Sequence, residues 1–277
     1  MSIENIPESY ILNQDKKPDL FAYDFKMTED IIKSKVNLNM HMFSFLQVGK
    51  KQVHFADTSV LVDNSQSLLI KKGNCLWSEL LDTEDIYYCK LLFFSDKKLN
   101  EFISKHLKKR NKTQTGLSYF TIENDTYLNS YLNSLSTIME APAAFVENLL
   151  TVKFEELLLY LINKYGEAFE NYLFSLVSDD ISPLKKIIQN NLYTSLSLEE
   201  IAFLCNMSLS TFKRHFIKEY SQSPGKWFRT KRLLKAKELL EDKKIKSSDV
   251  YFDLGYNSLS NFSSAFKSEF GINPSEI

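Results

Sequence analysis

The chain has 277 residues, of which 44% are hydrophobic and 25% are charged. These values are typical of globular proteins and exclude a collagen-like or disordered chain, and the length favours two domains. The formal net charge of −1 conceals an asymmetry, because residues 181–277 carry 15 Lys and Arg against 10 Asp and Glu, whereas residues 1–180 carry 19 against 25. Only the C-terminal third therefore has the positive charge that suits an anionic partner.

Cysteine usage and hydropathy predict a soluble cytoplasmic protein. Cys75, Cys89 and Cys205 are widely spaced, which predicts neither a disulfide framework nor a zinc site. The N-terminal segment has acidic residues and no apolar core of a secretion signal. Charged residues also interrupt the most apolar later stretch, 145–177, so no membrane span is expected.

Residues 42–94 have the pattern of short β-strands. Segments rich in β-branched and aromatic residues alternate with turn signals, which predicts an antiparallel sandwich or barrel. The segments are 43–48, 52–56, 59–63, 67–70 and 86–94. The segment 73–77 is interpreted as a turn. Eight apolar side chains are predicted to face inward, where they either fill a core or line a small-ligand site: Phe43, Phe45, Val53, Phe55, Leu69, Trp77, Tyr87 and Leu91.

Helical periodicity begins at Asp96, and a basic run at 108–112 is expected to end the first helix. Residues 125–177 predict two further amphipathic helices. The apolar stripe of the second needs a partner surface, either the β-domain or a second subunit, and we expect a homodimer through it. The stripe consists of Leu150, Phe154, Leu157, Leu158 and Leu161. Residues 178–183 are predicted to be a linker.

The C-terminal hundred residues contain an internal repeat at an offset of 50, which pairs Phe212 with Phe262 and Phe216 with Phe266. Each copy has the pattern of two short helices joined by a tight turn, at about 197–220 and about 247–270. In the first copy Ser197 to Glu200 form a capping box, and Asn206 is placed to adopt the left-handed turn. In the second copy Gly255 occupies the turn. Both copies therefore predict helix-turn-helix units.

A basic linking helix is predicted at about 224–242. Its 19 residues give a length of roughly 28 Å, close to the ~34 Å pitch of B-DNA, so both second helices can enter successive major grooves. The residues predicted to reach base edges are Ser210, Thr211, Lys213, Arg214, Ser260, Asn261, Ser263 and Ser264. Those predicted to contact phosphates are Ser208, Lys218, Lys226, Lys231, Ser258 and Lys267. The second helix of the first helix-turn-helix unit carries more positive charge, so this unit is expected to contribute more to base recognition than the second unit.

Residues 181–277 resemble the DNA-binding domain of the AraC/XylS family of bacterial transcription regulators. The residues that carry the resemblance are Ala202, Ser223-Pro224, Arg232-Leu233, Ala236, Leu239-Leu240, Gly255-Tyr256, Ser260, Phe262, Phe266-Lys267, Phe270-Gly271 and Asn273-Pro274. The resemblance covers about a third of the chain.

This resemblance implies an α+β multidomain protein. A cupin-like β-barrel with trailing helices (1–177) would sense a small molecule or partner and dimerise, and an all-α domain (184–277) would bind double-stranded promoter DNA. The function implied is activation of transcription together with RNA polymerase. Two positions depart from the family pattern. Tyr251 stands where a small residue is usual, so the two helices of the second helix-turn-helix unit are expected to pack farther apart there. Relatives continue a last helix beyond the position of Ile277, so this helix is expected to be missing or frayed.

No enzymatic or metal chemistry is predicted. His41 and His54 lack the spacing of cupin metal ligands, so both are interpreted as ordinary core or surface histidines; His106 is assigned to a helix face and His215 to helix packing. Neither a cofactor nor a membrane partner is expected. Two alternatives remain: a DNA-binding regulator without a small-molecule effector, whose N-terminal domain serves only protein contacts, and a cupin-type enzyme fused to a DNA-binding module.

Overall fold

The computed structural model of the chain describes residues 3–11, 18–83, 85–108, 117–139, 143–177, 184–241 and 245–277. The chain divides into two compact units, Met1–Ile181 and Ser182–Ile277. The predicted linker at 178–183 lies outside the described residues. Of the helices in the described part of the chain, none combines the length and hydropathy needed to span a membrane.

In the described part of the first unit, ten strands form two five-stranded sheets. In order across the first sheet these are β1 (Ile3–Ile6), β3 (Ile31–Leu38), β8 (Gly73–Leu80), β5 (Lys50–His54) and β6 (Ser59–Val62). Across the second they are β10 (Tyr119–Glu123), β7 (Gln66–Ile70), β4 (His41–Val48), β9 (Tyr87–Phe94) and β2 (Leu20–Met27). Neighbouring strands are antiparallel except β1 and β3, which are parallel. Among the described residues no strand pairing joins the two sheets, so the predicted cupin-like β-domain is present as two packed sheets, and no closed barrel is seen there.

The strand prediction for residues 42–94 is confirmed except at one segment. Residues 73–77, interpreted as a turn, begin strand β8. Cys75 and Trp77 point to the same face because strand side chains alternate with a period of two, and both are buried. The strands β1, β2, β3 and β10 were not predicted, since polar residues interrupt their apolar pattern.

The second sheet is buried on both faces. Met42 and Leu46 of β4 pack with side chains of the first sheet, whereas Phe43 and Phe45 pack against the helices. Leu69 of β7 also faces the helices. All eight predicted inward side chains are buried, but these three lie on the outer face of the sandwich and line no space between the sheets.

Four helices accompany the sandwich in the described part of the unit: α1 (Asp96–His106), α2 (Thr126–Met139), α3 (Ala143–Tyr165) and α4 (Glu167–Leu176). The predicted dimer stripe on α3 lies in the same hydrophobic cluster as the second sheet, with each side chain at most 5% exposed. The prediction that this stripe forms a dimer interface is therefore wrong, because the stripe is core. Helix α1 ends at His106, and of the predicted basic run only Lys108 is described.

The second unit is helical. Its helices are α5 (Leu184–Asn190), α6 (Leu198–Leu204), α7 (Leu209–Tyr220), α8 (Pro224–Leu240), α9 (Ser247–Val250) and α10 (Leu259–Phe270). The beginning of α8 packs against α7 through Phe228 and Phe216, whose ring centroids are 6.0 Å apart. Its later residues Leu233, Ala236 and Leu240 share a cluster with α9 and α10. A short 3₁₀ helix follows at Pro274–Glu276.

Candidate nucleic-acid interface

The first helix-turn-helix unit forms as predicted. The Ser197 hydroxyl accepts a hydrogen bond from the Glu200 amide, and the Glu200 carboxylate accepts one from the Ser197 amide, which completes the capping box. Asn206 adopts a φ of +57° in the turn. Ser208 then caps α7 by accepting from the Thr211 amide at 3.2 Å. These local features fix where α7 begins and which residues its first turn exposes.

Helix α7 has one buried side and one polar side. Phe212 and Phe216 are fully buried. The predicted base-edge and phosphate residues of this helix lie on the exposed side, except Thr211, which is half-buried; the exposed ones are Ser210, Lys213, Arg214 and Lys218. His215, predicted to pack, is exposed instead. The polar side thus offers three cations, one of them a guanidinium.

Helix α10 repeats this arrangement fifty residues later. Both helices have 12 residues, and Ser258 caps α10 by accepting from the Asn261 amide at 3.2 Å. Phe262 and Phe266 are buried. Its polar side exposes Ser260, Asn261, Ser264 and Lys267, with Ser263 half-buried. The matching surface of the second unit therefore carries one cation.

The first helix of the second unit is shorter than its counterpart. Helix α9 has four residues, whereas α6 has seven. Tyr251 follows α9 and packs against the cluster that contains Phe262 and Phe266. Gly255 occupies the turn with a φ of +77°. The expectation that Tyr251 loosens the crossing of the two helices stays a prediction.

Helix α8 links the two units. It has 17 residues, two fewer than predicted, and a length of about 25 Å. Pro224 begins the helix, where its missing N–H leaves no helical hydrogen bond unmade. Lys226 and Lys231 are exposed, as a phosphate contact requires.

Arg232, part of the basic stripe of α8, does not face solvent freely. It is half-buried, and its guanidinium donates hydrogen bonds to three backbone carbonyls. Charge counting along the sequence gave no sign of this inward role. The sequence did offer one signal for this role. Arg232 is next to Leu233, which lies on the buried side of α8, so part of the arginine side chain is close to the core.

The remaining titratable candidates have structural environments. His41 is buried; its Nε2 lies 2.8 Å from Asp96 and its Nδ1 accepts from the Lys72 amide, and burial lowers the pKa of His41. Burial raises the pKa of the Cys205 thiol to about 12, which keeps it protonated and unreactive. Within the described residues, no group of three or more His, Cys, Asp or Glu side chains is arranged to hold a metal ion.

Two protein-family models match the chain. Residues 41–172 match the ExsA N-terminal regulatory domain, and residues 201–277 match a helix-turn-helix domain. The chain is 30% identical over 171 residues to the virulence regulon transcriptional activator VirF of Yersinia enterocolitica, which covers 61% of this chain and 62% of VirF. It is 28% identical over 125 residues to the transcriptional regulator ExsA of Pseudomonas aeruginosa, which covers 45% of each chain. The chain thus spans about three fifths of the length of VirF and less than half of ExsA.

Among solved structures, apo ToxT from Vibrio cholerae aligns with 95% of this chain and 98% of its own, with a TM-score of 0.45 and 15% identity. VirF and ExsA are transcriptional regulators and not enzymes. The chain is a homologue of the AraC-family transcription regulators, and its residues 201–277 form an AraC-type helix-turn-helix domain.

Proposed function

We propose that this chain activates transcription by binding promoter DNA in a sequence-specific manner through α7 and α10. One observation carries the proposal. Two helices of equal length, each capped by a serine and packed by two phenylalanines at matching positions, expose polar side chains on either side of a basic linking helix. Such paired helices fit successive major grooves on one face of a duplex.

The exposed polar side of each second helix supplies the base contacts, from Ser210, Thr211, Lys213, Arg214, Ser260, Asn261, Ser263 and Ser264. Arg214 has the planar fork that pairs with guanine O6 and N7. Phosphate contacts fix the register, from Ser208, Lys218, Lys226, Lys231, Ser258 and Lys267. Ser208 and Ser258 stand at the N-terminal ends of α7 and α10, where the helix end favours a phosphate.

Crosslinking the chain to DNA in bacterial cells and sequencing the bound fragments tests this function. We expect enrichment of promoter sequences that share two motifs about one helical turn apart. The Lys213→Ala/Arg214→Ala variant changes only exposed side chains, so it should fold normally and lose that enrichment. Uniform coverage by the unmodified chain would refute sequence-specific binding.

The proposal includes the direction of control, which is activation through RNA polymerase. VirF is named a transcriptional activator, and we infer the same direction of control for this chain in the cytoplasm. In transcription reactions with purified RNA polymerase, adding the chain should raise the transcript level from an enriched promoter. A lower transcript level would identify a repressor.

The proposal also includes a homodimer that forms through the exposed side of α3. Phe145, Val152 and Leu159 are 60%, 61% and 44% exposed. They are spaced by seven residues, which places them in one row along the same side of the helix, and such an exposed apolar row is a candidate contact surface for another chain. Because the buried stripe of α3 is occupied by the core, this second stripe is the one available to α3 of another copy.

Sedimentation of the purified chain tests the dimer. Val152→Glu/Leu159→Glu places two charges on this exposed row and should give a folded monomer. Asn100→Glu/Ser104→Glu adds the same charge to exposed positions of α1 and should leave a dimer. A monomeric unmodified chain, or a dimer that survives the Val152→Glu/Leu159→Glu substitutions, would contradict this interface.

The N-terminal unit (residues 1–181) could be regulated in two ways, by a small-molecule effector or by protein contacts alone. Buried apolar side chains pack together between the sheets in the described part of the N-terminal unit, which favours protein contacts; they include Leu46, Val53, Trp77 and Phe93. Native mass spectrometry of the purified chain distinguishes them. A retained organic ligand supports the effector, and a chain of unmodified mass supports protein contacts.

A further inference from the structure

The two helix-turn-helix units meet at a single arginine. Arg232 lies in the middle of α8, and its Nε donates to the Leu192 carbonyl at 2.6 Å while Nη2 donates to the Thr194 carbonyl at 2.7 Å. Both carbonyls belong to the segment between α5 and α6, which leads directly into the first helix-turn-helix unit. Nη1 donates to the Gly255 carbonyl at 3.2 Å, in the turn of the second unit. One side chain therefore bonds the backbone segment that leads into the first helix-turn-helix unit and the turn of the second.

The same place shows a close approach of the two backbones. A Cβ at Gly255 would lie 2.5 Å from the Thr194 carbonyl oxygen and 2.9 Å from Arg232 Cζ. These separations are too short for any side chain, and the φ of +77° adds strain for a residue with a Cβ. The turn of the second unit thus rests directly on the segment that precedes α6.

Arginine suits this contact because its N–H groups leave a rigid plane in fixed directions and the group stays charged. The three N–H groups of a lysine leave one nitrogen at the end of a flexible chain, so they cannot span the three carbonyls that Nε, Nη1 and Nη2 of Arg232 reach. The Phe228 ring, with its centroid 5.6 Å from Cζ, lies one helical turn before Arg232. The guanidinium is thereby held in one orientation by groups from both units.

We propose that Arg232 is a positioning residue that sets the separation of the two DNA-reading helices without touching DNA. The idea rests on the proposed function, because a fixed separation matters only when α7 and α10 bind one duplex. Each unit has its own hydrophobic contact with α8, and the Arg232 bonds add a direct tie between the units. Holding the separation in the free protein removes an ordering cost from binding.

The test measures binding to duplexes that carry the sequence selected by the unmodified chain. One probe has both half-sites at their selected spacing, others have one or two base pairs inserted or removed between them, and one has the second half-site scrambled. The unmodified chain should prefer the selected spacing strongly. Arg232→Met should lose roughly 10- to 100-fold on the two-half-site probe and bind all spacings alike. Its affinity for the single-half-site probe should stay unchanged.

Arg229→Met is the matched control. Arg229 precedes Arg232 by about one turn on α8 and is exposed, so its loss should leave the affinity ratios between the probes, and with them the spacing preference, unchanged. Gly255→Ala disturbs the same contact without removing a charge and should flatten the spacing preference as well. Combining Gly255→Ala with Arg232→Met should add little, since both break one contact.

Arg232→Lys keeps the charge and most of the packing, so it replaces Arg232→Met in the binding test if Arg232→Met does not fold. It should fold and show a partly flattened spacing preference. The proposal is overturned if the folded Arg232 variants retain the full spacing preference, or if they weaken the single-half-site probe as much as the two-half-site probe. Failure of the unmodified chain to select any sequence would instead refute the proposed function.

Discussion

Lys51 of β5 and Glu79 of β8 form a buried ion pair in the N-terminal unit, residues 1–181. Lys51 Nζ is 2.9 Å from Glu79 Oε1 and 4.0 Å from the centroid of the Trp77 ring, and Lys51 is fully buried. Burial opposes the charge of Lys51, but the attraction and hydrogen bond of Glu79 outweigh it and raise the pKa of Lys51. Breaking such a pair leaves an uncompensated charge in the core, whereas removing both partners does not.

We therefore expect Glu79→Gln to lower the free energy of unfolding by about 3–5 kcal/mol. Lys51→Met/Glu79→Met should be far closer to the unmodified chain. Trp77 and Trp227 are the two tryptophans of the chain, so urea unfolding in a Trp227→Phe background follows Trp77 and reports on the first unit. A double variant as unstable as the single one would show that the pair itself stabilises the fold.

The two DNA-reading helices differ at the repeat position where α7 has Arg214 and α10 has Ser264. Both are exposed, but only Arg214 reaches a guanine edge with two hydrogen bonds. Arg214→Ala should cost about 1–3 kcal/mol of specific binding and relax base preference in one half of the site. Ser264→Ala should cost much less. Binding titrations of both variants on the same operator measure the two losses of affinity. Equal losses would mean that contacts to the DNA backbone, and not base contacts, govern binding in both grooves.

At the scale of elements, the helix-turn-helix units were predictable because their signals are local. A serine cap, a residue fit for the left-handed turn and phenylalanines four residues apart fix a short helix without reference to the rest of the chain. Ser208 and Ser258 accordingly begin α7 and α10 where the sequence places them. The contact between the units involves Thr194, Arg232 and Gly255, far apart in sequence, and no local pattern predicts it.

The sandwich was harder to predict, because its strands depend on tertiary partners. Lys51 and Glu79 look like surface residues, although each lies two residues from an apolar side chain that faces the core, Val53 and Trp77 respectively. Helix α3 is apolar on two sides, so its periodicity could not tell the core stripe with Leu157 from the exposed stripe with Val152. The sheet on which Leu157 packs decides between them.

Helices α2 and α3 are joined at one carboxylate. Asp125 accepts from the Leu128 amide at 2.9 Å, which caps α2, and it also bonds Tyr160 and Lys164 of α3. Partial burial would raise its pKa, but the hydrogen bonds from Lys164 and Tyr160 outweigh this effect and lower the pKa of Asp125 to about 2. The ionised form therefore stabilises the folded state.

This depressed pKa predicts the pH dependence of stability. The contribution of Asp125 is complete above about pH 4, the ordinary range of an aspartate, and is lost as the pH falls toward about 2. Asp125→Asn keeps the cap and removes the charge, so it should lower the free energy of unfolding at pH 7 by about 1 kcal/mol, a modest value because the site is partly exposed. Urea unfolding at pH 7 and pH 3 should show the difference narrowing. Lys164→Met should act in the same direction, and a difference that is constant with pH would contradict this assignment.

Over the whole molecule, charge is divided between the two units. Residues 181–277 carry a net charge of +5 and residues 1–180 carry −6. The net negative charge of residues 1–180 does not attract DNA. The number of counterions displaced from a duplex should therefore depend on the exposed cations of residues 181–277. Arg214 is assigned to a guanine edge, and the five lysines counted as phosphate contacts are Lys213, Lys218, Lys226, Lys231 and Lys267, all of them exposed.

Five such contacts predict that log K falls with log salt concentration with a slope of about −4 to −5, since each contributes about −0.9. Removing two of them in Lys213→Ala/Lys218→Ala should make the slope shallower by about 2. Lys97→Ala/Lys105→Ala removes two exposed cations of α1 in the first unit and should leave the slope unchanged. Binding titrations of the full chain between about 50 and 200 mM salt measure all three slopes. A flat response in the unmodified chain, or an equal change in both variants, would show that the basic surface of the second unit does not bind the DNA backbone.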